Sequence, residues 1–276
     1  MNNTNVKLLC IGVADSQLAG KCAGADLDAK DMFQEITSLV SPVYSKLLIS
    51  NEATYENVVN ELSEICSGDE GLAILFYAGH GGSQQVKLPA PDEADGKDEY
   101  IMLYDHYLLD DQIWNIVSKS KRRIFMIFDC CHSETMFRLA PDIVNITEKN
   151  PVKKFLKKIL YKLFSVFSPQ NSIFAYLKSK RDAKKRETIL LNQHPAFSEL
   201  LCWSACADDK VSYGSSRGGL FTMTLLSYLE HCSALTYDAF WEKISSDSRL
   251  RSKEICKANR LLGTGIDTFD DRSVFT

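Results

Sequence analysis

Residues 75–83 read LFYAGHGGS, a stretch that places a histidine among glycines directly after a run of apolar residues. Residues 123–133 read RIFMIFDCCHS, and here a similar apolar run ends at two cysteines. Short continuous apolar runs are typical of parallel strands that are covered by helices on both faces. The two stretches therefore predict two buried strands, each of which ends at a chemically reactive side chain.

Apolar runs and helical patterns alternate along most of the chain. Strand-like runs at residues 6–13, 71–77 and 122–128 are separated by segments with helical spacing, such as residues 25–39 and 54–66. Strands that alternate with helices predict an α/β sandwich with a mostly parallel sheet. The other predicted elements are strands at residues 45–49 and 199–206 and helices at residues 108–117, 220–231 and 237–245.

The composition is that of a globular domain. The chain has 276 residues, of which 45% are hydrophobic and 25% charged, and its net charge of −4 gives no general reason to expect nucleic acid binding. We find neither a signal peptide pattern nor an apolar run of about 18 residues. The nine cysteines, an odd number, favour reduced thiols. We therefore expect a cytoplasmic protein without a membrane span.

His80 and Cys131 each follow the end of a predicted strand. The active cleft of an open parallel sheet lies beyond the carboxyl ends of its strands, so neighbouring strands would bring both side chains to one rim. A thiol beside an imidazole loses its proton and becomes a strong nucleophile, and the amides of Gly81 and Cys131 would stabilise an oxyanion. A lone histidine or buried cysteine is more often structural. The matched pair favours catalysis.

A zinc site is the alternative use of these residues. Its ligands would be Cys130, Cys131, His132 and His80. Adjacent ligands wrap a tetrahedral ion poorly, and the chain contains no CxxC pair, so we expect no metal and no cofactor. Neighbours in an extended segment face opposite ways, which directs Cys130 into the core.

Several motifs, in the right order, resemble those of the caspase-like cysteine peptidases, and most closely the metacaspase branch. FYAGHGG and FDCCHS are similar to the histidine and cysteine motifs of that family, and GADLDAKDMF at residues 24–33 is similar to the motif after its first strand. Further resemblance lies at residues 95–114, 204–214 and 218–229. The resemblance covers nearly the whole chain outside residues 141–195 and implies a caspase-like three-layer sandwich.

The resemblance implies a cysteine endopeptidase with a dyad of His80 and Cys131 that cuts after Arg or Lys. Asp28 and Asp129 match the two aspartates that line the specificity pocket in metacaspases. Carboxylates at the floor of a pocket bind a cation and repel an acidic side chain. A solvated acid on a helix face is the alternative for Asp28. The implied partners are protein or peptide substrates with Arg or Lys before the cut.

The resemblance leaves open whether an activating ligand or partner is needed. A role as a regulated stress or defence effector is an analogy at the level of the family. The competing function class is a catalytically silent caspase-like module that serves in signalling or interaction. The presence of both His80 and Cys131 argues against a silent module.

Three positions depart from the family pattern. Ala78 replaces a serine that often contributes to the pocket, and Glu134 replaces the usual glycine after Cys-His-Ser. Arg138 stands near the position of a calcium-binding acid. A cation is unfavourable at a calcium site, so we do not expect calcium dependence. Asp110 and Asp111 are then acids at the start of a helix.

One segment interrupts the α/β pattern with positive charge. Residues 149–187 contain twelve Lys or Arg and two acids, a net charge of +10 that leaves about −14 for the rest. We interpret residues 1–276 as one domain in which 141–195 form an insertion between a large-subunit-like part (1–140) and a small-subunit-like part (196–276). The basic segment is an inert surface element, a regulatory or self-cleaved linker, or a surface for an anionic membrane or nucleic acid.

Overall fold

A computed structural model of the chain describes residues 5–85, 97–130, 199–205, 214–251 and 272–275. In chain order, the strands are β1 (Val6–Gly12), β2 (Asp15–Ser16), β3 (Gly20–Lys21), β4 (Tyr44–Ile49), β5 (Leu72–Ala78), β6 (Gly81–Gln85), β7 (Lys97–Met102), β8 (Tyr107–Leu109), β9 (Arg123–Asp129), β10 (Leu200–Ser204), β11 (Gly214–Ser215) and β12 (Gly218–Gly219). The helices are α1 (Ala25–Val40), α2 (Tyr55–Cys66), α3 (Asp110–Val117), α4 (Leu220–Leu229), α5 (Tyr237–Ser246) and α6 (Ser248–Arg251).

Five strands form the central sheet in the order β10-β9-β5-β1-β4, and every neighbouring pair is parallel. This confirms the predicted α/β fold class with a parallel sheet. Each strand and helix expected from the sequence is present, with ends that differ by at most two residues. The sequence patterns missed the short antiparallel strands, which carry no long apolar run.

The two faces of the sheet pack against different helices. Leu72, Ile74, Phe76 and Ala78 of β5 lie in one core with residues of α1, α4 and α5. Tyr77, whose side chain alternates to the other face, is fully buried as well. That face carries α2, which packs on β1 and β5 and contacts α3. Both faces of β5 are therefore covered, which explains its continuous apolar sequence.

A second, smaller sheet joins the carboxyl edge of the main one. Its order is β6-β7-β8, with antiparallel pairing throughout. The Tyr77 hydroxyl donates to the carbonyl oxygens of His80 and Met102, at 2.7 Å each. Tyr77 thus ties the end of β5 to β7 and holds the backbone of His80.

Some sequence predictions fall on other parts of the chain. Residues 141–195 lie outside the described residues, so the division into subunit-like parts and an insertion stays a prediction. Within the described ranges, no helix combines the length and the apolar character needed to cross a bilayer. The cellular location stays a prediction too.

Candidate active site

The strands that precede His80 and Cys131 are direct neighbours. Ala78 at the end of β5 pairs with Asp129 at the end of β9, and His80 comes two residues after Ala78. The Gly79 amide donates to the Asp129 carbonyl oxygen at 3.3 Å, so the two chains stay adjacent past the last paired residues. Cys131 follows Asp129 by two positions and lies outside the described residues. The adjacency of the two strands, which the sequence argument required, is confirmed.

The ring of His80 contacts a backbone group that the sequence analysis did not identify. Its Nε2 lies 3.2 Å from the carbonyl oxygen of Lys21 in the β2–β3 hairpin. When Nε2 carries the ring proton, it donates to this oxygen and leaves Nδ1 as the basic nitrogen. No motif predicts such a contact, because every residue carries the same carbonyl group.

Asp28 and Asp129 are brought together at the start of α4, and each is only 5% exposed. The Asp28 Oδ2 atom accepts a hydrogen bond from the Gly219 amide at 2.8 Å. The Asp129 Oδ2 atom accepts from the Thr222 amide at 3.1 Å and from the Thr222 hydroxyl at 2.7 Å. Asp28 is therefore not a solvated acid on a helix face, the alternative that the sequence left open.

The two carboxylates influence each other's charge. Burial is the main cause that raises the pKa of Asp28 to about 8, and the nearby charge of Asp129 raises it further. The hydrogen bond from the Gly219 amide acts in the opposite direction. A carboxyl group with such a pKa is largely protonated at neutral pH, and a bound cation would favour its ionised form.

The glycines at the start of α4 allow this close approach. Gly219 is the N-cap of α4 and has no side chain to accept from the first turn, so Asp129 does so from β9. A Cβ atom on Gly219 would collide with the Asp129 carboxylate, and one on Gly218 would collide with the Asp28 carboxylate. Sequence reasoning missed these glycines and Thr222. The GG pair directly before an apolar helix is the signal that could have found them.

The expectations about metals concern residues that are only partly described. Cys130 is 1% exposed, as predicted for a side chain that points into the core. Asp110 and Asp111 lie in the first turn of α3, where the Asp110 Oδ1 atom accepts from the Asp111 amide at 2.8 Å. No group of three metal-binding side chains occurs among the residues whose positions are described. The expectation that calcium is not required stays a prediction.

The parallel sheet, with helices on both faces and this cluster at its carboxyl edge, defines a caspase-like α/β sandwich. The sequence model of the caspase domain family matches residues 6–255, so the chain belongs to that family. The resemblance to caspase-like peptidases is confirmed.

The individual proteins that this chain resembles have low sequence identity to it. Metacaspase-1 of Mycosarcoma maydis is 26% identical over 206 residues, which cover 67% of this chain and 50% of that protein. Metacaspase-1A of Neurospora crassa is 31% identical over 183 residues, or 58% of this chain and 39% of that protein. The chain thus spans half or less of these curated relatives. The crystal structure of a Geobacter sulfurreducens protein matches 99% of this chain and 98% of its own, with a TM-score of 0.64 and 21% identity, a likeness of fold.

Proposed function

We propose that the protein is a cysteine endopeptidase that hydrolyses peptide bonds after Arg or Lys. The observation that carries the proposal is the pairing of Ala78 with Asp129. In the sequence, His80 and Cys131 follow these two paired residues by two positions each. Membership of the caspase domain family supports the thiol peptidase class. The preference for a cation rests on Asp28 and Asp129, the buried carboxylates beside this rung.

In the proposed reaction, His80 accepts the proton of the Cys131 thiol, and the thiolate attacks the carbonyl carbon before the cut. The amides of Gly81 and Cys131 stabilise the oxyanion that forms. His80 then gives its proton to the leaving amine, and water activated by His80 hydrolyses the thioester. The Lys21 carbonyl oxygen holds the ring in the tautomer that this sequence of transfers requires.

The buried carboxylates supply the proposed specificity. A guanidinium or ammonium group offsets the repulsion between Asp28 and Asp129, whereas an acidic side chain would increase it. Because the pKa of Asp28 is about 8, binding of the cation releases a proton from this pair near neutral pH. Loss of one partner of a buried charge pair typically costs about 2–5 kcal/mol of binding free energy, so removal of either carboxylate should weaken the binding of an Arg or Lys substrate by about this amount.

Catalysis by the dyad is tested with fluorogenic peptides that end in Arg, Lys or Asp, assayed with calcium and with a chelator. We expect cleavage after Arg and Lys, and a loss of at least about 1,000-fold in kcat for Cys131→Ala and for His80→Ala. Cys130→Ala is the matched control, because that thiol lies in the core, and we expect it to retain activity. Circular dichroism checks that each variant is folded.

Three outcomes would contradict the proposal. Normal turnover by folded Cys131→Ala protein would refute the nucleophile, and a preference for Asp would refute the cation pocket. Absence of cleavage under every condition would favour the silent signalling module. Dependence on an activating partner, a role in stress or defence, and a cytoplasmic location stay predictions.

A further inference from the structure

In the part of the chain that the structure describes, no strand pairs with the edge of the small sheet next to His80, and this edge is called the open edge. Strand β6 begins at Gly81, directly after the histidine, and it is the outer strand in the order β6-β7-β8. Among the described residues, β7 is its only strand partner. Gly81, Gly82 and Ser83 are all partly exposed to solvent. An open strand edge is a template on which an extended peptide can form a further strand.

The register shows which backbone groups face outward. The Met102 amide of β7 donates to the His80 carbonyl oxygen at 2.9 Å, so the backbone groups of His80 point toward β7. The N–H and C=O groups of successive residues in an antiparallel strand point alternately to the two sides. Those of Gly81, Ser83 and Gln85 consequently point away from β7, toward the open edge.

Strand β6 and the buried carboxylates lie on different sides of His80. Ala78 belongs to the core beneath α1 and α4, and its partner Asp129 bonds to Thr222 of α4. Tyr77 points to the opposite face of the main sheet, where it bonds to the backbone of His80 and of Met102. A peptide that places its cationic side chain at the carboxylates therefore has β6 on the far side of the scissile bond.

Glycines leave room for a bound peptide at this edge. Gly81 has no side chain above or below the sheet, so none crowds the side chains of a neighbouring strand. A Cβ atom on Gly82 would lie 2.6 Å from the Tyr100 hydroxyl, so Tyr100 packs directly across this position. An aromatic side chain that covers a cross-strand glycine stabilises the strand pair. The open edge of β6 is thus accessible to a peptide, and Tyr100 holds the strand against β7.

We propose that β6 binds the part of the substrate that follows the cut, which joins the small sheet as an extra parallel strand. This inference rests on the proposed peptidase function. The Gly81 amide, which faces the carbonyl oxygen of the cleaved residue, forms the first rung. The Gly81 carbonyl then accepts from the amide of the second residue after the cut, and the Ser83 amide donates to the carbonyl of that same residue. The third residue points away.

In the proposed strand, the amide of the second residue after the cut faces β6 and the amide of the third faces away. This difference can be tested with modified substrates and the unchanged enzyme. Quenched peptides with Arg before the cut and four residues after it are compared with a fluorogenic Arg amide that ends at the cut. We expect the longer peptides to have the higher kcat/KM. N-methylation at the second residue after the cut should lower kcat/KM about fivefold, the effect of one peptide hydrogen bond, whereas N-methylation at the third residue should have little effect.

A pair of enzyme variants tests the strand itself. Ser83→Pro removes the outward amide without removing a bond to β7, and Ser83→Ala keeps that amide. We expect the ratio of kcat/KM for the long peptide to that for the fluorogenic amide to be about fivefold lower in Ser83→Pro than in Ser83→Ala.

Equal effects of the two N-methyl groups would overturn the inference, as would the absence of any gain from residues after the cut. A gain from residues before the cut that Ser83→Pro removes would also overturn it, because β6 would then bind the other half of the substrate. The proposed peptidase function fails separately, if the wild-type protein does not cleave the fluorogenic amide.

Discussion

Asp28 combines a stabilising contact with an unfavourable charge. Its carboxylate accepts from the Gly219 amide, yet it lies buried beside Asp129. Burial and the neighbouring charge hold the pKa of Asp28 at about 8, well above that of an aspartate in water. An unliganded protein keeps such an arrangement at a cost in stability, and a bound cation would offset that cost.

Replacement of Asp28 by Asn should make stability less dependent on pH. The folded protein binds a proton at Asp28 between about pH 4 and pH 8 that the unfolded chain has released, so the free energy of unfolding falls as pH rises through this window. The slope is at most about 1.4 kcal/mol per pH unit. Urea unfolding at several pH values should show a smaller fall for Asp28→Asn than for the wild type.

Glu56→Gln is the control, since Glu56 is an exposed acid on α2 and is not among the charges that act on Asp28. It should keep nearly the wild-type dependence. Identical slopes in the wild type and in Asp28→Asn would show that the buried carboxyl is not protonated in this window. With an Arg substrate, KM should fall as pH rises toward 8 in the wild type and stay nearly constant in Asp28→Asn.

At the level of elements, the backbone amides at the start of α4 donate hydrogen bonds to carboxylates from other elements, Asp28 of α1 and Asp129 of β9. The N-cap of α4, Gly219, pairs with Gly214 in the β11–β12 hairpin. Gly24, at the start of α1, has φ of +94° and lies so close to Gly218 that a Cβ atom would come within 2.8 Å of the Gly218 Cα. The hairpin, α1 and α4 therefore position Asp28 and Asp129 together.

Gly219→Ala should disturb this junction. The backbone of Gly219, with φ of −78°, is one that alanine adopts readily, so the expected cost comes from the collision with the Asp129 carboxylate. Overpacking of this kind typically costs about 1–3 kcal/mol, and we also expect a higher KM for Arg substrates. Thermal unfolding and kinetics measure the two effects.

Ser216→Ala, an exposed change in the same hairpin, is the control and should stay within about 0.5 kcal/mol of the wild type. If Gly219→Ala has wild-type stability and KM, the carboxylate has room to move and the proposed tight junction is wrong.

On the scale of the whole molecule, the main sheet unites two distant parts of the sequence. β9 ends at Asp129 and β10 begins at Leu200, and the two strands pair in parallel. Across this junction, the ring of Phe125 lies 4.8 Å from that of Trp203 and 5.1 Å from that of Tyr237, measured between centroids. The core therefore depends on residues from both sides of the basic segment.

A cut within residues 149–187 should consequently leave the two pieces associated. This segment concentrates Lys and Arg, and its sequence matches the proposed specificity. We expect the wild-type protein to develop cuts after Lys or Arg in this segment, and Cys131→Ala to stay intact. Mass spectrometry under denaturing conditions locates the cuts, and native mass spectrometry should still show the full mass.

Separation of the pieces after a cut would mean that the β9–β10 junction is too weak to hold them. A wild-type chain that stays intact and fully active would leave the basic segment as a surface element, one of the interpretations that the sequence left open.

Local patterns in the sequence determined the main elements of this fold. Apolar runs and helical spacing are properties of neighbouring residues, so β5, β9 and α1 could be recognised within one residue of their ends. The rim where His80 and Cys131 follow adjacent strands was also predictable, because parallel strands present their carboxyl ends at one edge.

Only the tertiary structure decided which other groups lie beside His80 and Asp129 at that rim. Asp28 bonds to the amide of Gly219, which lies 191 positions further along the chain. The Lys21 carbonyl beside His80 and the open edge of β6 likewise consist of backbone groups. All residues carry these groups, so a sequence does not mark which of them will meet. Their positions follow from the packing of α1, α4 and the small sheet against strands that distant parts of the chain supply.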